Sequence, residues 1–445
     1  MITTRRFLCC GIIATLTALP SFAQSQEWTL RVCTDYALSH NITVKQQANV
    51  LRQRELQLST ARNSRLPNLS ATVGQDFSFG RGLTAENTYT NTNTSSTSFS
   101  LGTSVPLFTG FQIPNQVRLS ELNLAAASAD LEKVRNDIRM QVAQAYVQIL
   151  YDREMADVAH RQIEIDSLQA SRLEALLNNG KASPAELAQQ QATLAQSQLT
   201  ATQAENALQL SLLALTQLLE LSTPEDFSVA IPSPDQLNFG RVADLTPDAI
   251  YQESLTVKPE VQSAQLSVSA AERSVEIARA ANYPTLNLNG GIGSNYYKTS
   301  GFKADGFGRQ LENNFSQYVG LNLSVPIFNR FATRNNIRSA QIDRENMQLK
   351  LDNTKKTLYK EIQQVYYNTV AAEAKCKSAA QAVRSAEEAF SLMQAKYENG
   401  KANSTEFNEA KNTYLRMESD LVKARYELVY QWALIQFYRG GELNF

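Results

Sequence analysis

Val105-Pro106-Leu107-Phe108 returns as Val325-Pro326-Ile327-Phe328, and Asn179-Gly180-Lys181 returns as Asn399-Gly400-Lys401, both 220 positions further along the chain. Upstream, Arg65-Leu66-Pro67-Asn68-Leu69 is echoed by Asn282-Tyr283-Pro284-Thr285-Leu286, 217 positions away. A long repeat at a near-constant offset means that one structural unit was duplicated. Each unit reads short helix, strand, loop, strand, very long helix, tight turn, helix. The units span 24–222 and 259–445, with an irregular connector over 223–258 that holds Pro224, Pro232, Pro234 and Pro247.

The N-terminus reads as an export signal over 1–23: Arg5 and Arg6 precede the apolar run Phe7 to Leu19, and Ser21-Phe22-Ala23 supplies small residues for cleavage. Leu8-Cys9-Cys10-Gly11 lies ahead of most of the apolar core, which argues against a lipid anchor. Beyond the signal, only Cys33 and Cys376 remain, so no disulfide framework is expected. A formal charge of −1 gives no nucleic-acid footprint, and two histidines, His40 and His160, leave little for acid–base or metal chemistry. No nucleophile elbow, metal cluster or phosphate loop is present, so neither an enzyme nor a cofactor is expected.

Four segments alternate with period two: about 69–79, 97–106, 286–296 and 315–326. In the first, Leu69, Ala71, Val73, Phe77 and Phe79 share one face, against Ser70, Thr72, Gly74, Asp76 and Ser78. Each is about 10 residues long, enough for a tilted strand to cross a bilayer. Thr88 to Ser98, and Lys298 to Asn314 in the second unit, read as solvated loops. Alternation alone also permits a soluble hairpin packed on helices. Four strands cannot close a barrel, because the smallest spanning barrels need about eight. Open edges are excluded in lipid, since unpaired N–H and C=O groups cost several kcal/mol each. Strands that span must therefore be pooled from several chains.

Gln112 to Asn178 and about Ala332 to Glu398 carry apolar residues at three- and four-residue steps, as in Ile138, Val142, Ala145 and Ile149. Each predicts a helix of about 100 Å at 1.5 Å per residue. Gly180 and Gly400 suit the left-handed position that ends a helix. Ser183 reads as the cap of the returning helix with Glu186 completing a capping box; Asn403 or Ser404 plays that part before Glu406. The first short helix is expected near Tyr36 to Arg62. With the returning helix, Pro184 to Leu221, it matches the long helix in length; the last helix runs Thr405 to Tyr438.

The order of elements and the six motifs together resemble the TolC family of outer-membrane efflux channels, across essentially the whole mature chain. The resemblance rests on the Pro67 and Pro284 steps, on Val105 to Phe111 and Val325 to Phe331, and on the two Gly-containing tips. It implies a mainly α fold with a transmembrane β part, and a homotrimer whose twelve strands close a barrel in outer-membrane lipid. Long helices would form a periplasmic tunnel. It further implies a passive conduit for small molecules or secreted proteins, served by a periplasmic adaptor and an inner-membrane pump. The adaptor would meet the tips at Asn179, Gly180, Lys181, Ser183, Asn399, Gly400, Lys401 and Ser404. A periplasmic gate is implied at Glu406 and Glu409, one turn apart, with Glu186 as the match on the first hairpin and Tyr397 in a gate-holding link. The arginine expected to complete that link is Ala402 here. Helix capping explains Glu186 and Glu406 equally, and Glu409 also suits a solvated surface. The competing reading is a structural periplasmic coiled-coil protein without a pore.

Overall fold

The computed structural model describes residues 28–83, 87–222, 227–232 and 245–443; the export signal and most of the connector lie outside these. Two short helices come first, α1 (Leu30–His40) and α2 (Ile42–Asn63). The expected single helix is therefore broken at Asn41. Its side chain accepts from Thr43 N at 2.9 Å and donates to the Leu218 carbonyl at 3.1 Å, while Glu220 accepts from Ile42 N at 3.1 Å. An asparagine that competes locally for backbone groups starts a new helix when a distant element completes its bonds.

The strands β1 (Asn68–Leu83), β2 (Tyr89–Thr109), β3 (Thr285–Thr299) and β4 (Ser316–Ser324) form one antiparallel sheet in the order β1-β2-β3-β4. Most of the Thr/Asn/Ser run expected as a loop belongs to β2, where Phe77 faces Ser95 and Phe79 faces Asn93. No core demands an apolar face there, so the missing apolar period does not prevent backbone pairing. The second expected loop is also shorter. β3 extends to Thr299, and α7 (Phe307–Asn313) docks on the sheet through Phe307 against Tyr296 at 5.2 Å and Ser294 Oγ donating to the Leu311 carbonyl at 2.6 Å.

One sheet face is mainly apolar; α7 covers it at Phe99 and Tyr296, and along β1 it is bare. Leu69, Val73, Phe77 and Phe79 are 72%, 69%, 65% and 75% exposed. A contiguous apolar surface of this kind marks contact with lipid or a partner. On the other face of the described strands, Asp76 is the one acidic or basic residue among Ser, Thr, Asn, Gly, Tyr and Pro106.

Sheet and rods meet at two corners where consecutive residues are left-handed: Gly110 (φ 62°) and Phe111 (φ 68°), then Arg330 (φ 53°) and Phe331 (φ 62°). From them run α3 (Gln112–Asn178) and α8 (Ala332–Glu398), each of 67 residues, as the sequence predicts. They return as α4 (Pro184–Leu218) and α9 (Ser404–Tyr438), each of 35. Helices α2 and α4 both pack on α3; α9 and α6 (Pro259–Ala280) both pack on α8. The connector is less irregular than expected, since α5 (Pro247–Val257) lies in it, capped by Thr246. Pro247 and Pro259 each open a helix, where the missing N–H costs nothing. The main core lies where α1, α3, α4 and α9 meet, with Val142, Ile149, Leu215, Cys33 and Val429 at 1% exposure or less.

Candidate channel tips and helical seam

Both tips close by the same backbone device. Gly180 (φ 70°) and Gly400 (φ 69°) are left-handed, and the amides of Lys181 and Lys401 each reach back to a helix carbonyl at 2.8 Å. Asn179 and Asn399 donate from their side chains to the Ala175 and Ala395 carbonyls, each at 2.7 Å. Ser183 and Glu186 form a complete capping box, with Glu186 N to Ser183 Oγ at 3.2 Å and Ser183 N to Glu186 Oε2 at 2.8 Å. Asn403, not Ser404, caps α9, and Glu406 completes the box at 2.9 and 3.0 Å. The amide carbonyl of asparagine reaches the third amide, which leaves Ser404 as the first helical residue.

These bonds govern the charges at the tips. The Ser183 amide, then its hydroxyl, hold the Glu186 carboxyl below the usual carboxylate range. Glu406 Oε2 accepts the Asn403 amide at 3.0 Å, whereas Glu409 is exposed and takes no capping bond. Lys181 and Lys401 are also exposed.

Tyr397 lies at the end of α8 and stacks on Phe407 with ring centroids 4.8 Å apart. Its other partner comes from the first hairpin: the Arg172 guanidinium lies 5.5 Å from the ring centroid and donates to the Glu398 carbonyl at 3.0 Å. Burial pushes the Tyr397 phenol up, Arg172 opposes this and Glu186 adds to it, so Glu186, Arg172 and Tyr397 share one electrostatic environment. An arginine therefore meets Tyr397 from α3, not from the second tip. Nothing local in the sequence marks Arg172, because its partner is more than 220 residues away.

Deeper in the same seam, α3 and α9 carry an alternating ladder of charge. Glu154 pairs with Arg425, Arg161 with Glu418 at 2.6 Å, and Asp166 with Lys411. The α9 members recur every seven residues, which keeps them on one face. The last pair is fully buried on both sides. Asp166 is well satisfied, since its Oδ2 also accepts from Ser197 Oγ at 2.6 Å and its Oδ1 from Gln190 Nε2 at 3.3 Å. One carboxylate therefore joins α3, α4 and α9. Sliding one helix by seven residues in either direction sets like charges together, so the ladder fixes the axial register. The sequence reading missed all three pairs, which are separated by up to 271 residues.

Among the described residues, no helix is long and apolar enough to cross a membrane, and no group of three His, Cys, Asp or Glu is placed to hold a metal ion. Known proteins with similar sequences include protein CyaE of Bordetella pertussis, 24% identical over 76% of this chain and 69% of that protein. The pyoverdine export outer membrane protein OpmQ of Pseudomonas aeruginosa is 28% identical over 63% of this chain and 58% of its own length. In structure, the outer membrane protein VceC of Vibrio cholerae superposes with a TM-score of 0.75 at 19% identity, covering 93% of this chain and 97% of that one. The CmeC outer membrane channel of Campylobacter jejuni gives 0.76 at 18% identity, over 93% and 86%. The profile of the outer membrane efflux proteins matches residues 34–220 and 250–441, both repeats and both tips, and the chain belongs to that family.

Proposed function

We propose that this chain is the outer-membrane channel of a tripartite export system, a passive conduit for small molecules or secreted proteins. One observation carries this reading: an apolar-faced sheet with both edges unpaired stands on two helical hairpins about 100 Å long. In lipid those edges need partners, and three copies supply the twelve strands of a closed barrel. A pore-free periplasmic coiled coil would leave the exposed band of Leu69, Val73, Phe77 and Phe79 without a purpose. The exporting relatives support the transport reading.

The tips, Asn179 to Ser183 and Asn399 to Ser404, face the periplasmic adaptor, which links the channel to an inner-membrane pump. Glu409 is the strongest gate candidate, because its carboxylate is exposed and uncommitted. Glu406 and Glu186 flank it while capping their helices, and Tyr397 ties the second tip to the first. Three copies of Glu409 around the pore would favour cations. The test is a planar bilayer holding the purified protein, with crosslinking from Lys401→Cys in cells. Stepwise conductance and an adaptor adduct are expected. A water-soluble monomer without conductance, crosslinked only to peptidoglycan, would overturn the proposal.

A further inference from the structure

We infer the register in which the sheet of one subunit joins the sheet of the next: β4 pairs antiparallel with β1 of a second copy of this chain, Val319 opposite the partner subunit's Phe77. The inference rests on the trimeric reading above and adds the residue-level contact. Its source is the duplication. Within the chain, the exit strand of the first repeat (β2) pairs with the entry strand of the second (β3). Between chains, the exit strand of the second repeat (β4) must meet the entry strand of the first (β1). Both are the free edges of the sheet.

The sequence offsets carry the known junction onto the unknown one. β2 maps to β4 by 220 positions and β3 maps to β1 by 217. Phe99 opposite Ser294 becomes Val319 opposite the partner subunit's Phe77. Ser100 opposite Gly293 becomes Gly320 opposite the partner subunit's Asp76, and Thr103 opposite Gly290 becomes Leu323 opposite the partner subunit's Val73.

Two independent features fit this register. The first is facial parity. Val319, Leu321 and Leu323 of β4 lie on the apolar face, as do Phe77 and Val73 of β1; Gly320 and Asn322 lie on the polar face, as do Asp76 and Gly74. A slip by one residue would exchange the faces along the whole edge. The second is the length of β4. β2 runs to Thr109 because β3 continues beside it, with a bulge between Pro106 and Phe108. The equivalent stretch 325–329 follows the last residue of β4 without a strand partner, and Ile327 is 94% exposed. The register gives 325–329 that missing partner, at 68–71 of the neighbouring copy.

The test is disulfide trapping in the full-length protein in outer membranes, with Val319→Cys and Phe77→Cys on the same chain. Residues directly opposite in an antiparallel pair have Cβ atoms about 5 Å apart, close to disulfide geometry. Within one chain, β1 and β4 are separated by three strand spacings, about 14 Å, so no internal bond can form. Covalent dimers and trimers on non-reducing gels are expected from this pair, at least about tenfold more than from Val319→Cys with Gln75→Cys or Phe79→Cys. Preferential trapping by either slipped pair in an intact oligomer overturns the register and leaves the trimer standing. A monomer that no pair crosslinks overturns register and trimer together.

Discussion

Gly110→Ala separates two costs that a glycine can carry. At φ 62° any residue with a side chain pays left-handed strain of about 1–2 kcal/mol. A Cβ at this position would also lie 2.6 Å from the Ala280 carbonyl oxygen and 2.8 Å from the Tyr283 Cβ. Neither neighbour is the free end of a flexible side chain. The Ala280 carbonyl accepts the Tyr283 amide at 3.0 Å, the bond that turns α6 into β3. Forcing that step apart adds about 1–3 kcal/mol of overpacking, which brings the expected total to about 3 kcal/mol. Gly180→Ala is the internal control, because at φ 70° it carries similar strain but its Cβ would meet nothing within 4 Å. It should cost about 1 kcal/mol. Arg330, at the matching position of the second corner, shows that the backbone accepts a side chain in this conformation. Arg330→Gly should therefore be close to neutral, since the strain relieved is offset by a more mobile unfolded chain. The assay is guanidinium unfolding of the detergent-solubilised protein, followed by helical circular dichroism at one fixed concentration. Equal losses for Gly110→Ala and Gly180→Ala would refute the crowding argument.

Three other perturbations probe the tips and the helical body. Glu409→Ala should raise single-channel conductance or lower cation selectivity in a planar bilayer without loss of stability, whereas Glu406→Ala should destabilise α9 by about 1 kcal/mol through its capping box. Arg161→Glu places like charges opposite Glu418, so hydrogen exchange along α9 should quicken; the swap Arg161→Glu with Glu418→Arg should restore it, and equal exchange in all three proteins would remove the register role of the ladder. Lys258 is buried against Phe437 and Tyr438, its amine 3.7 and 4.5 Å from their ring centroids, and burial lowers its pKa from 10.5 to about 8. Between those values the unfolded chain holds more protons than the folded one, so stability rises with pH there, and the penalty is complete below pH 8. Lys258→Met should stabilise the protein at pH 7 by about 1–3 kcal/mol, the cation–π attraction offsetting part of the penalty, and this gain should vanish above pH 10.5; a gain independent of pH would count against the assignment.

What the sequence made legible was local. The long helices end at residues readable from composition, and the tips follow from Asn-Gly followed by Ser or Asn with Glu three places on. Period-two alternation found all four strands, because one face meets an apolar surface. What it hid depends on partners far along the chain. The break at Asn41 is set by Leu218 and Glu220, the outer half of β2 by its neighbours in the sheet, and the hold on Tyr397 by Arg172. Asp166 and Lys411 gave no signal for a more basic reason. A lone charge within a long amphipathic helix reads as solvated, and only the packed seam shows that these two are shielded and paired.

The duplication also shows where the two copies have parted. The ladder on α3 has no counterpart on α8: Glu154, Arg161, Asp166 and Arg172 correspond at an offset of 220 to Ala374, Gln381, Ala386 and Leu392. On α4, the positions equivalent to Lys411, Glu418 and Arg425 hold Gln191, Gln198 and Glu205. So the seam inside the chain is tied by alternating charge, while the matching faces of α8 and α4 present mainly small and neutral groups. Leu392, at the level of Arg172, is 67% exposed. In the proposed trimer, the symmetry that carries β2 and β3 onto β4 and β1 would bring α8 against the next subunit's copy of α4 along that face, where Glu205 is the one charge among the compared positions. Like charges penalise a slid register in the first seam, and the second has no such penalty. In the proposed trimer the two hairpins of one subunit are therefore expected to hold as a unit, with the more compliant joints between subunits.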